Sequence, residues 1–179
     1  MKIKLYLFLL LVSGSLSAQA PAALQSEVKK LYTACHDIDI TALTEMLCTT
    51  EADIYGTLDS YFLNDNDKFR YVFTNVKYNY SAPQTIDGKT YYLINFRNMV
   101  RVTYFKPVDV PAKQAELKAL FGATEITYNQ ARNAFLLAYP AKMLAVQDNG
   151  WKFAFLDKTL PPVSSGCVTE NVKKAFGLQ

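Results

Sequence analysis

The chain has few of the side chains that chemistry needs. Its 179 residues include a single histidine, His36, and three cysteines, Cys35, Cys48 and Cys167. These are too scattered to show a metal-ligand spacing, so no zinc site is expected. An excess of one charge is also lacking. Nineteen Lys and Arg face sixteen Asp and Glu, a net charge of +3. That balance argues against nucleic acid and against a polybasic membrane surface as partners. Beyond the first residues there is no long apolar run, no internal repeat and no low-complexity tract. No cofactor is implied.

What is present begins at the first residue. MKIK is followed by LYLFLLLV and then by the small and polar SGSLSAQA ahead of Pro21. A basic start, an apolar stretch and an Ala-Gln-Ala end read as a secretory signal peptide over residues 1–20. The apolar part is shorter than the ~20 residues that span a bilayer. Cleavage after Ala20 would remove Lys2 and Lys4, leaving seventeen cations against sixteen acids, or +1. No cysteine sits near the cut, so no lipid anchor and no membrane insertion are expected. The expected location is the periplasm or the outside of the cell. Residues 21–179 suffice for one domain with its own core.

An oxidising compartment permits one disulfide and leaves one thiol. Cys35 and Cys48 would close a short loop, but an intervening helix would hold the sulfurs apart. Cys48 with Cys167 is the other candidate pair. A third reading treats all three as small buried apolar residues.

Periodicity predicts three helices first. Leu24, Val28, Leu31 and Tyr32 recur at helical spacing over residues 22–35. Asp39 or Thr41 then caps a helix over 40–48, and Thr50 or Glu51 opens another, Glu51 to Leu63. Strands follow. Phe69 to Tyr80 alternates, with one slip of phase near Thr74-Asn75 that a β-bulge would produce. Asp87-Gly88 signals a hairpin. Thr90 to Phe105 returns with Ile94, Phe96, Val100, Val102 and Tyr104 on one face, and Asn95, Arg97, Met99, Arg101 and Thr103 on the other. A short helix runs from Ala112 to Phe121, stopped by Gly122. A strand from Glu125 to Tyr128 and a turn through Asn133 lead into a long strand, Ala134 to Gln147. Pro140 in that strand implies an edge or a bulge. Trp151 to Leu156 is the last strand. A tail with Pro161-Pro162, a Ser-Ser-Gly loop and an amphipathic segment, Thr169 to Phe176, completes the chain. Helices followed by hairpin-joined strands make an α+β class, a curved, mostly antiparallel sheet packed on N-terminal helices.

Two stretches, EVKKLYTACHDIDITALTEML and YPAKMLAVQDNGWKFAFLD, resemble the nuclear transport factor 2-like superfamily. The first looks like its N-terminal helical hairpin, with Asp39 before Ala42-Leu43. The second is similar to its closing hairpin, with a strand led by Trp-Lys. The resemblance spans residues 24 to 157, apart from the segment Pro107 to Gly122. It implies a cone-like sheet closed by helices over an apolar pocket, as in small secreted bacterial members. That superfamily contains isomerases, cyclases and dehydratases beside non-catalytic binding modules, so the fold alone does not fix a function.

His36 with Asp37 and Asp39 could be a general base with an orienting carboxylate. The alternative is a helix end, a turn and an N-cap, and the resemblance implies that one. Cys35 and His36 cannot work as a pair, because adjacent helical residues point apart. Asp37-x-Asp39-x-Thr41 starts like a calcium loop, but Ala42 replaces the glycine and Cys48 the last glutamate. Asp59 is the best candidate for a lone pocket carboxylate; a solvated helix face is its bland reading. Arg97 and Arg101 share a strand face and could grip an anion. Twelve tyrosines and eleven phenylalanines make the strands aromatic. Tyr78, Tyr80, Tyr92, Tyr104 and Tyr139 are candidates for a lined pocket or an interface, against a reading as core. An aromatic sheet without an acid-base constellation points to a non-catalytic binding or assembly module. Its expected partner is a small apolar ligand or a protein, including a second copy through the sheet. The alternative is an isomerase, cyclase or hydratase-type enzyme using Asp59.

Overall fold

The computed structural model describes residues 20–50, 52–72, 75–156 and 166–178. The expected signal peptide, the helix start at Glu51, the bulge position at Thr74, and the Pro161-Pro162 and Ser164-Ser165 tail lie outside those residues. Three helices come first: α1 (Ala22–Asp37), α2 (Ile40–Met46) and α3 (Ile54–Phe62). The strands are β1 (Asp67–Tyr71), β2 (Tyr78–Tyr80), β3 (Gln84–Ile86), β4 (Lys89–Tyr104), β5 (Glu125–Asn129), β6 (Ala134–Gln147) and β7 (Trp151–Phe155). Helix α4 (Val110–Phe121) precedes β5, a 3₁₀ turn (Gln130–Arg132) follows it, and α5 (Glu170–Phe176) ends the chain. This is the α+β arrangement expected, and no helix among the described residues is long and apolar enough to cross a membrane.

Local chemistry explains the helix starts. Asp39 accepts from the Ala42 N–H, Asp53 from Gly56, Asp109 from Ala112 and Thr169 from Val172. Each satisfies one of the amide donors that a first turn leaves unpaired. The third helix therefore begins at Ile54 behind Asp53, and Thr50 does not open it. His36 lies beside Asp37 at 2.7 Å on the outside of the α1 terminus, while Cys35 is buried. The adjacent side chains point apart, as helical geometry requires.

The sheet is antiparallel throughout, and two long strands, β4 and β6, form its centre. One edge of β4 is covered in turn by β1, β2 and β3. The other edge of β6 is covered by β5 near its start and β7 near its end. Asp87 and Gly88 both take positive φ, 51° and 77°, as a two-residue hairpin turn demands.

Two expectations need correction. The strand Phe69 to Tyr80 is broken, not merely bulged. Tyr71 pairs with Val100 and Tyr78 with Phe96, so seven steps along the edge oppose four on β4, an excess of three residues. Pro140, in turn, sits in a central strand. The Ala138 carbonyl accepts from Thr124 and the Lys142 carbonyl from Leu156, both at 2.9 Å. Alternate residues aim their backbone the same way, so position 140 faces the gap between β5 and β7. A missing N–H there leaves no ladder bond unmade.

The two sheet faces are covered differently. Helices α1 to α4 close the inner face over the main core, which includes Leu24, Leu31, Leu43, Phe62, Phe96 and Phe153. Among the described residues the outer face is covered at one end only, where Val172 of α5 packs on Tyr91, Leu144, Val146 and Ala154. Asn171 anchors α5 to the Asp87 carboxylate at 3.1 and 3.2 Å. Cys48 and Cys167 are joined by a disulfide that ties this segment to the end of α2, 119 residues away in sequence. Closing so long a loop restrains the unfolded chain. Cys48→Ser is expected to lower stability by about 2–5 kcal/mol. Denaturant unfolding with and without reductant checks this, and an unchanged midpoint on reduction would remove the disulfide from the account.

Candidate functional site

The interior of the curved sheet is the first place to look for a site. By parity along β4, the inner face holds Tyr92, Ile94, Phe96, Asn98, Val100, Val102 and Tyr104. Opposite them on β6 lie Phe135, Leu137, Tyr139, Ala141 and Met143. All are buried except Tyr104, which is half-buried. Rings fill the space above. Tyr32 of α1 meets Tyr71 edge-on at 5.6 Å, Tyr78 meets Phe96 at 5.5 Å, and Phe121 of α4 meets Tyr139 at 5.4 Å.

One polar side chain stands among them. Asn98 is fully buried. Its amide donates to the Tyr139 hydroxyl at 2.6 Å, directly across the β4–β6 pair. Its Oδ1 accepts from the Met99 N–H at 2.9 Å and from the Tyr32 hydroxyl at 3.3 Å. Tyr32 also donates to the Val72 carbonyl at 3.1 Å. These bonds repair the broken sheet edge. Val72 still donates its N–H to the Met99 carbonyl. The reciprocal bond of that antiparallel pair is replaced: Met99 turns its N–H to Asn98, and Tyr32 serves Val72. Buried backbone groups must be paired somewhere, and Asn98 with Tyr32 does this where β1 leaves β4.

The candidate residues therefore fall on two sides of the sheet. Tyr78, Tyr80, Tyr92, Tyr104 and Tyr139 belong to the inner face, packed in the core or against it. Arg97 and Arg101 project from the outer face. Asp59 lies exposed on α3, away from the interior. No described interior residue supplies a carboxylate. Burial raises the pKa of Tyr78, with help from Tyr32, Tyr80 and Cys35, and raises that of Tyr104, with help from Asp67 and Glu116.

The outer face offers a different surface. A groove of about 350 Å³ lies over the start of β6, between Arg101 of β4 and Arg132 of the 3₁₀ turn. Val72 and Leu136 give it an apolar floor, and Leu136 is 37% exposed. Arg97 does not belong to it. That guanidinium is held by Glu125 at 2.7 Å, so Arg97 and Arg101 do not form one anion grip. The sequence reading missed Asn98 and Arg132. The strand parity that puts Val100 inside puts Asn98 there too. Arg132 was hidden in a turn, where charge ordinarily means solvation.

Among the described residues no three His, Cys, Asp or Glu side chains come together as a metal site. No protein family model, curated protein or solved structure matches the chain.

Two outcomes follow from the interior. Asn98→Leu removes the side-chain hydrogen bonds to the Met99 N–H and the Tyr139 hydroxyl, and should cost about 1–3 kcal/mol. Tyr139→Phe should cost less in the Asn98→Leu background than in the native protein. A double-mutant cycle by urea unfolding reads the coupling, and strict additivity would contradict the network. The raised tyrosine pKa values set an alkaline limit. A folded pKa above the unfolded value of ~10 means full stability below pH ~10 and loss as pH rises through the folded value. Tyr78→Phe should lessen that loss in unfolding measured from pH 8 to 12.

Proposed function

We propose that the chain is an exported, non-catalytic binding or assembly module that recognises its partner on the outer face of the sheet. The observation that carries this reading is the contrast between the two faces. The inner face is filled by rings and tied through Asn98, so a substrate would have to displace the core. Among the described residues the outer face is open beyond α5 and carries a groove with a cationic rim and an apolar floor. Binding sites combine these two elements, apolar contact for affinity and a few polar groups for orientation.

Export is supported by the basic, apolar and small-residue order of the first twenty residues. The Cys48–Cys167 disulfide also supports it, because such bonds persist in oxidising compartments. The likeness to the nuclear transport factor 2-like superfamily rests on the helical hairpin at Asp39 and the closing hairpin at Trp151. It is proposed as kinship only. An enzyme built on Asp59 has no observation in its favour, because that carboxylate lies on the solvent side of α3.

The test is an amide-resolved NMR titration of the mature, disulfide-intact protein with a mixed set of neutral and charged small molecules. Shifts confined to Arg101, Thr127, Leu136 and their neighbours are the expected result. Shifts centred on Tyr92, Phe96 and Tyr139 would place recognition inside the sheet and overturn the reading. A second copy seated on the same face would show as a dimer in light scattering, lost in a Leu136→Asp variant.

A further inference from the structure

The outer groove has an unusual electrostatic composition. Among the described residues its two charged lining residues, Arg101 and Arg132, are both cationic, and no Asp or Glu lines it. Among the described residues neither guanidinium makes an ion pair. Arg97, four residues earlier on the same strand, shows what neutralisation looks like here, with Glu125 at 2.7 Å. Arg101 instead has another cation beside it, because Arg70 is its direct partner on β1. Arg70 turns its guanidinium away, to the carbonyls of Phe62 at 3.1 Å and Phe69 at 2.7 Å. Burial and then the Arg101 charge lower its pKa. Like charges close together with no carboxylate among them leave an attraction for an anion unspent.

The groove is also held in shape. Asn129 caps the 3₁₀ turn by accepting from the Arg132 N–H at 3.0 Å. Asn133, at a left-handed φ of 46°, donates to the Tyr104 and Lys106 carbonyls at 2.9 and 2.7 Å. It accepts from the Tyr128 hydroxyl at 2.8 Å. These four bonds fix the backbone that presents Arg132 against the end of β4. A preordered backbone loses less freedom when a ligand arrives.

Building on the proposed outer-face binding role, we infer that this groove takes a small organic carboxylate with an apolar body. The carboxylate sits between Arg101 and Arg132, and the body lies on Leu136 and Val72. Planar guanidinium forks match a carboxylate bidentately. A free phosphate would use the two cations and leave the apolar floor wet. A neutral apolar molecule would cover the floor and leave the cations without a partner. Only an acid with a hydrocarbon body uses both. The groove volume falls in the range of small-ligand sites, roughly 300–1,000 Å³.

Octanoate is a suitable probe, with octanol and inorganic phosphate as its two halves. In NMR titrations of the mature protein, octanoate should move the Thr127, Tyr128 and Leu136 amides and saturate. Octanol and phosphate should bind the groove at least roughly tenfold more weakly. Arg101→Gln should weaken octanoate by a similar factor, while Arg97→Gln should leave it within about twofold. The melting curve and tyrosine circular dichroism of Arg101→Gln establish that it folds, and Arg132→Gln is the second variant if it does not. If octanol moves the groove as strongly as octanoate, carboxylate recognition falls while the outer-face role stands. Phosphate binding as well as octanoate would make this a general anion site and overturn the inference. If no probe moves the groove, both this inference and the outer-face role fall.

Discussion

The hydrogen bonds of Asn98 govern how the rest of the molecule is put together. A sheet edge covered by three short strands in succession must break at least twice along β4. The larger break, three residues in excess between Tyr71 and Tyr78, leaves backbone groups of the ladder unmatched in an apolar interior. An unpaired buried amide or carbonyl is expensive. The Asn98 side chain takes the Met99 N–H, Tyr32 takes the Val72 carbonyl, and the second end of the Asn98 amide is held by Tyr139. One amide thereby links α1, the β1 edge and the β4–β6 centre. Its fit requires rings above it, and the aromatic composition of the chain supplies them.

That solution determines where function can reside. The interior is occupied by Tyr32, Tyr71, Tyr78, Phe121 and Tyr139, and the polar atoms of Asn98, Tyr32 and Tyr139 are engaged in structure. The polar groups that do not serve the fold are on the opposite face. There α5 and its disulfide cover one half of the sheet, and the arginine-rimmed groove occupies the other. The two faces communicate through Val72, whose carbonyl belongs to the inner network while the residue lines the outer groove.

Much of this architecture could be read from residues near in sequence. The caps at Asp39 and Thr169, the Asp87-Gly88 turn, the span of β6 and the stop at Gly122 all follow from local pattern. The break between β1 and β2 was visible as a slip of phase, but its size was not, because register belongs to the partner strand. β3 has only three residues, too few for alternation to show. Asn98 has its side-chain partners 66 and 41 residues away, so strand parity marks it as inward but nothing local shows how its polar groups are satisfied. Alternation along β4 already puts Tyr104 and Arg101 on opposite faces, but the pairing of Arg97 with Glu125 and the approach of Arg132 to Arg101 depend on β5 and the turn after it. Pro140 shows the same limit: its strand is central, and only the gap between β5 and β7 makes its missing N–H harmless.

The central claim is that the interior is dry and closed around Asn98. Hydrogen exchange of the Asn98 side-chain amide tests it most directly. Two distinct, slowly exchanging Nδ2 proton signals, protected to a degree approaching that of the β4 and β6 backbone, are the predicted result. Exchange at the rate of a surface asparagine would show water reaching the middle of the sheet, and would contradict the account.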